Sequence, residues 1–143
     1  YARRNAARYA VSEHVQFVQC NLLDAFLHHP PATAPRPPSL DLIVSNPPYI
    51  GRREAETLPK EVRAHEPHQA LFAGEEGHEF YAPLVDQARN LLRPGGLLAV
   101  ELGYNALARV QPLLDAPGDW AAVEVTHDLA GIPRVLAATR ERN

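Results

Sequence analysis

Leu40-Asp41-Leu42-Ile43-Val44-Ser45-Asn46-Pro47-Pro48-Tyr49 is the stretch whose reading decides the fold. Leu42-Ile43-Val44 is continuously apolar, the pattern of a short strand covered on both faces, as in a parallel sheet. Two prolines then prevent the chain from continuing as either a ladder or a helix. A buried strand that ends in a stiff polar turn belongs to α/β architecture, where ligands sit beyond the carboxyl ends of the strands.

Outward from this strand, the patterning supplies the rest of the fold. Upstream, residues 1–12 predict an Ala- and Arg-rich helix that begins without a capping residue. Val15-Gln16-Phe17-Val18 is β-prone and predicts a strand ending near Cys20. Residues 21–27 read as a turn or helical stub, and the Pro-rich residues 28–39 as a loop long for a compact domain. Downstream, residues 51–77 predict mostly loop, with one helix near 58–64. Phe80, Leu84, Val85, Ala88, Leu91 and Leu92 recur at helical spacing and predict an amphipathic helix over 79–92. Arg93-Pro94-Gly95-Gly96 stops it, and Leu97-Leu98-Ala99-Val100 predicts a second buried strand. A helix over 106–114, bent at Pro112, precedes a half-exposed edge strand over 122–127 and a last strand over 135–139. This order predicts an α/β fold with a mainly parallel sheet and an antiparallel end. Asn21, Asn46 and Glu101 each fall at or just past a strand's carboxyl end.

Composition narrows the function classes. A chain of 143 residues that is 45% hydrophobic fits one domain with a sizeable core. No apolar run reaches the roughly 18 residues of a membrane span, and no secretory signal is visible, so no membrane partner is expected. With one cysteine there is no internal disulfide, and a cytoplasmic location is expected. A net charge of −3 gives no basic footprint for direct nucleic-acid binding. All eight glycines lie at or beyond Gly51, so the first third of the chain carries no glycine-rich cofactor loop.

The tetrapeptide Asn46-Pro47-Pro48-Tyr49 carries the chemistry. Asn46 precedes a proline and is held extended. Pro47 and Pro48 have fixed φ, so their carbonyls have little freedom. The Asn46 side-chain oxygen and the Pro47 carbonyl can accept both protons of one NH₂ group, while Tyr49 stacks on its plane. That arrangement suits methyl transfer to nitrogen, where positioning and charge placement lower the barrier. Pro-Pro by itself is a stiff turn, and Pro30-Pro31 and Pro37-Pro38 repeat it elsewhere. The Asn before and the Tyr after, directly behind an apolar strand, distinguish this copy.

At these residues the chain resembles the S-adenosylmethionine-dependent amino-methyltransferases. Asn46-Pro47-Pro48-Tyr49-Ile50 is followed by Glu61-Val62-Arg63-Ala64-His65-Glu66-Pro67 and Ala70-Leu71-Phe72-Ala73-Gly74. Leu92-Arg93-Pro94-Gly95-Gly96, Glu101-Leu102-Gly103 and Asp128-Leu129-Ala130-Gly131-Ile132-Pro133-Arg134-Val135 complete the series. In combination they are similar to the HemK-type methyltransferases that modify a glutamine of peptide chain release factors. The resemblance implies a Rossmann-like class I methyltransferase fold with an antiparallel strand at the C-terminal end of the sheet. It implies S-adenosyl-L-methionine as cofactor and a release factor as partner. Asn46, Pro47 and Tyr49 would then be catalytic, with Pro48 in the substrate turn. Asn21 and Leu22, together with Asn46, would bind cofactor; Asn21 stands where the family usually has Asp. Glu66 and Glu101 take no assigned role. The family's first two strands, glycine-rich loop and ribose-binding acid have no counterpart here, so residues 1–143 are expected to be one partial catalytic domain, N-terminally truncated and inactive alone.

Other signals are weaker. His65 and His68 flank Pro67, which breaks the spacing a shared metal needs, so no metal site is expected. Cys20 reads as a small apolar residue at a strand end, and Gly95-Gly96 as a turn. The alternatives to glutamine methylation in a release factor are methylation of an adenine amino group in nucleic acid, or of a ribosomal-protein glutamine. From a different class, a non-catalytic remnant or interaction module remains open.

Overall fold

The computed structural model describes residues 1–28, 40–57, 67–115 and 118–142. Four strands form the main sheet: β1 (Leu40–Ser45), β4 (Leu92–Glu101), β5 (Trp120–His127) and β6 (Pro133–Arg140), in the order β1-β4-β6-β5. β1 runs parallel to β4, and β6 lies antiparallel to both β4 and β5. A separate parallel pair joins β2 (Ile50–Gly51) to β3 (Phe72–Gly74).

The core lies on one face of the main sheet. β4 alternates, with Leu98 and Val100 fully buried and Leu97 exposed. Against the buried face packs the helix Tyr81–Leu91, whose Tyr81, Leu84, Val85, Ala88 and Leu91 form its apolar stripe. Pro83 is tolerated because it sits in the first turn, where backbone N–H groups have no helical partner. Val110 and Leu114 close the far side, from a helix at Leu107–Val110 that continues as a 3₁₀ turn over Gln111–Leu114. The switch comes at Gln111, one residue before Pro112.

The long helix runs straight into β4. Residues 93–96 loop out between the pairs Leu40↔Leu92 and Leu42↔Leu97. Two glycines make this possible for different reasons. Gly95 takes φ +75°, and a Cβ on Gly96 would lie 2.9 Å from the Arg93 carbonyl and 3.0 Å from that of Leu40.

Several expectations are corrected. Residues 15–20 form no strand; Val15, Phe17 and Val18 are exposed. No described strand lies beside them, and an isolated extended segment has no partner for its backbone groups. The N-terminal helix is Ala2–Arg8, shorter than read, with Ala10 at φ 54° and a 3₁₀ turn at Ser12–His14. β1 is covered on one face only. Ile43 is buried, whereas Leu42 is 53% and Val44 71% exposed. The apolar run thus fits a two-sided strand of which the described residues cover a single side. In the four-stranded sheet one pair is parallel and two are antiparallel, because both C-terminal strands are ordered by the hairpin returning along β4. Within 51–77, the β2–β3 pair and a helix at His68–Leu71 were not anticipated, since elements this short leave no periodicity. A short helix at Asp24–His28 matches the expected stub. The loop read over 29–39 and the helix near 58–64 lie outside the described residues.

Candidate functional site

The sheet register sets the position of the tetrapeptide. Ser45 at the end of β1 stands beside Val100, so Asn46 leaves the sheet next to Glu101, the last residue of β4. Asn46 is exposed, Pro47 buried, and Pro48 and Tyr49 are half-buried. Immediately downstream, Ile50 pairs with Phe72 and Gly51 with Gly74. Gly77, at φ +87°, closes over this junction; a Cβ there would meet the Tyr49 carbonyl oxygen at 2.6 Å. The turn is therefore strung between two sheets, each of which fixes one end.

Asn46, Pro47 and Tyr49 line one cavity of about 260 Å³, completed by Ile50, Ala70 and Leu71. The two acceptor-bearing residues and the ring expected to act together thus share a cavity with an apolar floor. Tyr49 also lines a second cavity of about 250 Å³, bordered by Gly77, His78, Gly103, Tyr104 and Arg109.

What holds Tyr49 was not evident from the sequence. Its hydroxyl donates a long hydrogen bond, 3.4 Å, to Glu101 Oε1. Burial, then the Glu101 charge and the hydrogen bond to it, push the phenol above its ordinary value, while Arg134 pulls the other way. The phenol is therefore neutral and a donor at physiological pH. Tyr81 anchors the same corner from below. Its hydroxyl donates to the Glu101 carbonyl at 3.0 Å and accepts from the Gly103 N–H at 3.2 Å. Helical spacing picks out Phe80, but it is the adjacent Tyr81 that is fully buried, and its polar tip makes it a hinge pin for the β4 terminus.

The segment Asp128–Val135, legible in sequence only as a family signature, is a clamp. Asp128 Oδ1 accepts from the backbone N–H groups of Ala130 (2.9 Å) and Ile132 (3.0 Å). Its Oδ2 takes Arg134 Nε at 2.9 Å. The Ile132 N–H first, and Arg134 next, hold this carboxyl below its usual range. Gly131 supplies φ +77° for the tight return.

Asn21 and Leu22 line neither cavity. Asn21 is exposed, and Leu22, at φ 49°, packs against the core. Gln87 fixes this turn to the long helix, accepting from Leu23 N–H at 2.8 Å and donating to Asp24 at 2.6 Å. Cys20 is exposed and lies outside any strand, with its thiol donating to the Leu22 carbonyl; the expectation of a strand-end residue fails with the strand itself. Among the described residues no group of three or more His, Cys, Asp or Glu could hold a metal, and no helix is long and apolar enough to cross a membrane.

Over 139 residues the chain is 40% identical to the release factor glutamine methyltransferase of Bradyrhizobium diazoefficiens, an alignment covering 97% of this chain and 43% of that protein. The protein of the same name from Koribacter versatilis is 37% identical, with 97% and 45% covered. That of Mycobacterium tuberculosis is 38% identical over 140 residues, with 98% and 42% covered. The chain thus spans less than half the length of these curated relatives. No protein-family model matches it. Among solved structures, TrmN from Thermus thermophilus superposes with a TM-score of 0.57 at 21% identity, over 97% of this chain and 32% of that one. Cofactor-bound Rv0187 from MTB superposes with a TM-score of 0.56 at 18% identity, over 99% and 56%. At these identities the structural likeness establishes the fold alone.

Proposed function

We propose that this chain, which has the Rossmann-like fold of the class I S-adenosylmethionine-dependent methyltransferases and is similar over 97% of its length to release factor glutamine methyltransferases, supplies the acceptor half of such an enzyme's active site. The reaction is transfer of a methyl group from S-adenosyl-L-methionine to the side-chain amide nitrogen of a glutamine in a peptide chain release factor. The enzyme acts in the cytoplasm, with the release factor as its protein partner. The observation that carries this reading is the meeting of Asn46, Pro47 and Tyr49 in one cavity.

In the mechanism, the glutamine amide enters flat against Tyr49. Its two N–H groups donate to the Asn46 side-chain oxygen and the Pro47 carbonyl, which fixes the plane of the amide and the direction of its nitrogen. Apolar Ile50, Ala70 and Leu71 complete the cavity, which leaves Asn46 and Pro47 to supply the acceptors. As the new N–C bond forms, the bond between the methyl group and the donor's sulfur would break to leave a neutral thioether, and the nitrogen, now acidic, passes one proton to solvent beside the exposed Asn46, so no strong base is needed. Orientation carries much of the rate enhancement.

The residues present fit the methyl donor at one end. Asn46 has an exposed side-chain amide beside the carboxyl end of β1, where a ligand sits in this fold class. There it would lie against the donor's methionine portion, with Asn21 and Leu22 toward its adenine. The cofactor supplies an electrophilic sulfonium methyl when bound.

The test is methylation of purified release factor by a full-length enzyme carrying this chain, with labelled methyl donor. Asn46→Ala is expected to abolish glutamine methylation while cofactor binding, followed by calorimetry, stays largely intact, weakened only by the lost Asn46 contact. Retained methylation in that variant removes Asn46 from the reaction and sinks the reading.

A further inference from the structure

We propose that Glu101 is a positioning residue for this reaction, setting the ring of Tyr49 against the acceptor amide, and that the Asp128–Arg134 clamp holds the charge that balances it. The inference rests on the reading of Tyr49 as the wall of the amide site.

The geometry brings three separate parts of the chain to one point. Glu101 ends β4 beside Asn46, and its carboxylate accepts from the Tyr49 hydroxyl. In the antiparallel register Glu101 faces Val135, the residue after Arg134, and Leu102 N–H donates to the Arg134 carbonyl at 2.8 Å. Arg134 is thereby fixed to the end of β4 by its backbone and to Asp128 by its side chain. It lies near enough to act electrostatically on both Tyr49 and Glu101. Arg134 brings a positive charge to this corner while its Nε is held by Asp128 Oδ2.

The pairing has a functional consequence. Tyr49 lines two cavities, so movement of its ring changes the shape of both. An aromatic side chain has two torsions; the hydroxyl oxygen lies on the axis of the second, so the contact with Glu101 restrains the first and with it where the ring stands. The bond is long at 3.4 Å, and hydrogen bonds of this kind often tighten only when substrate is bound. Glu101 thus touches neither amide nor cofactor; it acts through Tyr49.

Steady-state kinetics on the full-length enzyme test this. Glu101→Ala is expected to lower kcat by about tenfold or more, as misplacement of a positioned group does, with KM for the methyl donor unchanged. Glu101→Gln, which keeps an acceptor for the hydroxyl, restores most of kcat. In a Tyr49→Phe background, Glu101→Ala costs less than about twofold further, since residues that act through one another are not additive. Arg134→Gln is an independent probe, expected to lower kcat even if Glu101→Ala fails to fold. Full additivity with Tyr49→Phe, or an unchanged kcat in Glu101→Ala (in Arg134→Gln, where Glu101→Ala does not fold), overturns the positioning role. Asn46→Ala run alongside separates the two failures. If it is inactive while Glu101→Ala is fully active, the amide site stands and the positioning role falls; if it is active, the amide site itself is wrong.

Discussion

Gly103 is the seat of the Tyr49 ring. A Cβ built on Gly103 would lie 3.1 Å from Tyr49 Cβ, 3.2 Å from Cδ2 and 3.3 Å from Cγ. This approach is tighter than ordinary van der Waals contact, so the ring must shift by a few tenths of an ångström to admit a methyl group. Gly103 adopts no left-handed backbone angle, so a side chain there brings crowding rather than backbone strain. Gly103→Ala is therefore expected to reduce kcat about tenfold, the scale of a small misplacement at a reacting group, with thermal stability close to that of the parent. Kinetics and a melting curve on the same preparation check this; an unchanged kcat means the ring does not need its present seat.

Tyr81 supports the same corner from the core. Its hydroxyl joins the Glu101 carbonyl to the Gly103 N–H, and Tyr81→Phe leaves both without that partner. Removing one partner of a buried polar pair costs about 1–3 kcal/mol. The expected result is a loss of unfolding free energy in that range by urea titration, with the denaturant slope unchanged.

These two residues also show how far the sequence could be read. The proposal of an amide receptor could be drawn from the sequence because Asn-Pro-Pro-Tyr is a local motif: the chemistry expected of it follows from prolines that fix their own backbone. The strand before it, the long helix and the C-terminal hairpin were legible from periodicity. Tyr81, Glu101, Gly103 and Arg134 were not legible as one unit, because what unites them is register between strands distant in sequence, and no local spacing encodes register. The strand read at Val15–Val18 failed for the complementary reason. Local propensity was present, but a strand is a relation to a neighbour, and none of the described residues provides one. β1 likewise carries an apolar run fit for two covered faces and shows one, with Val44 at 71% exposure.

The hairpin clamp predicts a response to acid. Asp128 has its carboxyl held below the ordinary 3.8, first by the Ile132 N–H and then by Arg134. A carboxyl depressed in the folded state contributes stability above its unfolded value, and that contribution is lost as pH falls below 3.8 through the lower native value. The Ile132 amide resonance is expected to move with this titration and to stop moving in Asp128→Asn. Glu79 is lowered from 4.5 chiefly by the Glu76 N–H, so part of the overall acid destabilisation persists in that variant. An Ile132 amide indifferent to acid in the parent protein would show that the clamp is not formed in solution.

The phenol of Tyr49 offers the opposite test, at high pH. Burial raises it above 10.0, the Glu101 charge adds to the rise, and Arg134 opposes it. The native state therefore favours the neutral phenol. Its contribution to stability is intact below pH 10 and is lost as pH climbs through the higher native value. Two substitutions should move this titration in opposite directions. Arg134→Gln removes the opposing charge and is expected to drive Tyr49 higher still; Glu101→Gln removes the like-signed charge and is expected to bring it back toward 10.0. Tyr81 is also raised, mainly by burial, so the Tyr49 component is identified by its absence from Tyr49→Phe. Phenolate absorbance, followed over the pH range in which secondary structure is constant, reads the shifts directly. Movement of both variants in the same direction would mean that Glu101 and Arg134 do not act on this ring as opposed charges.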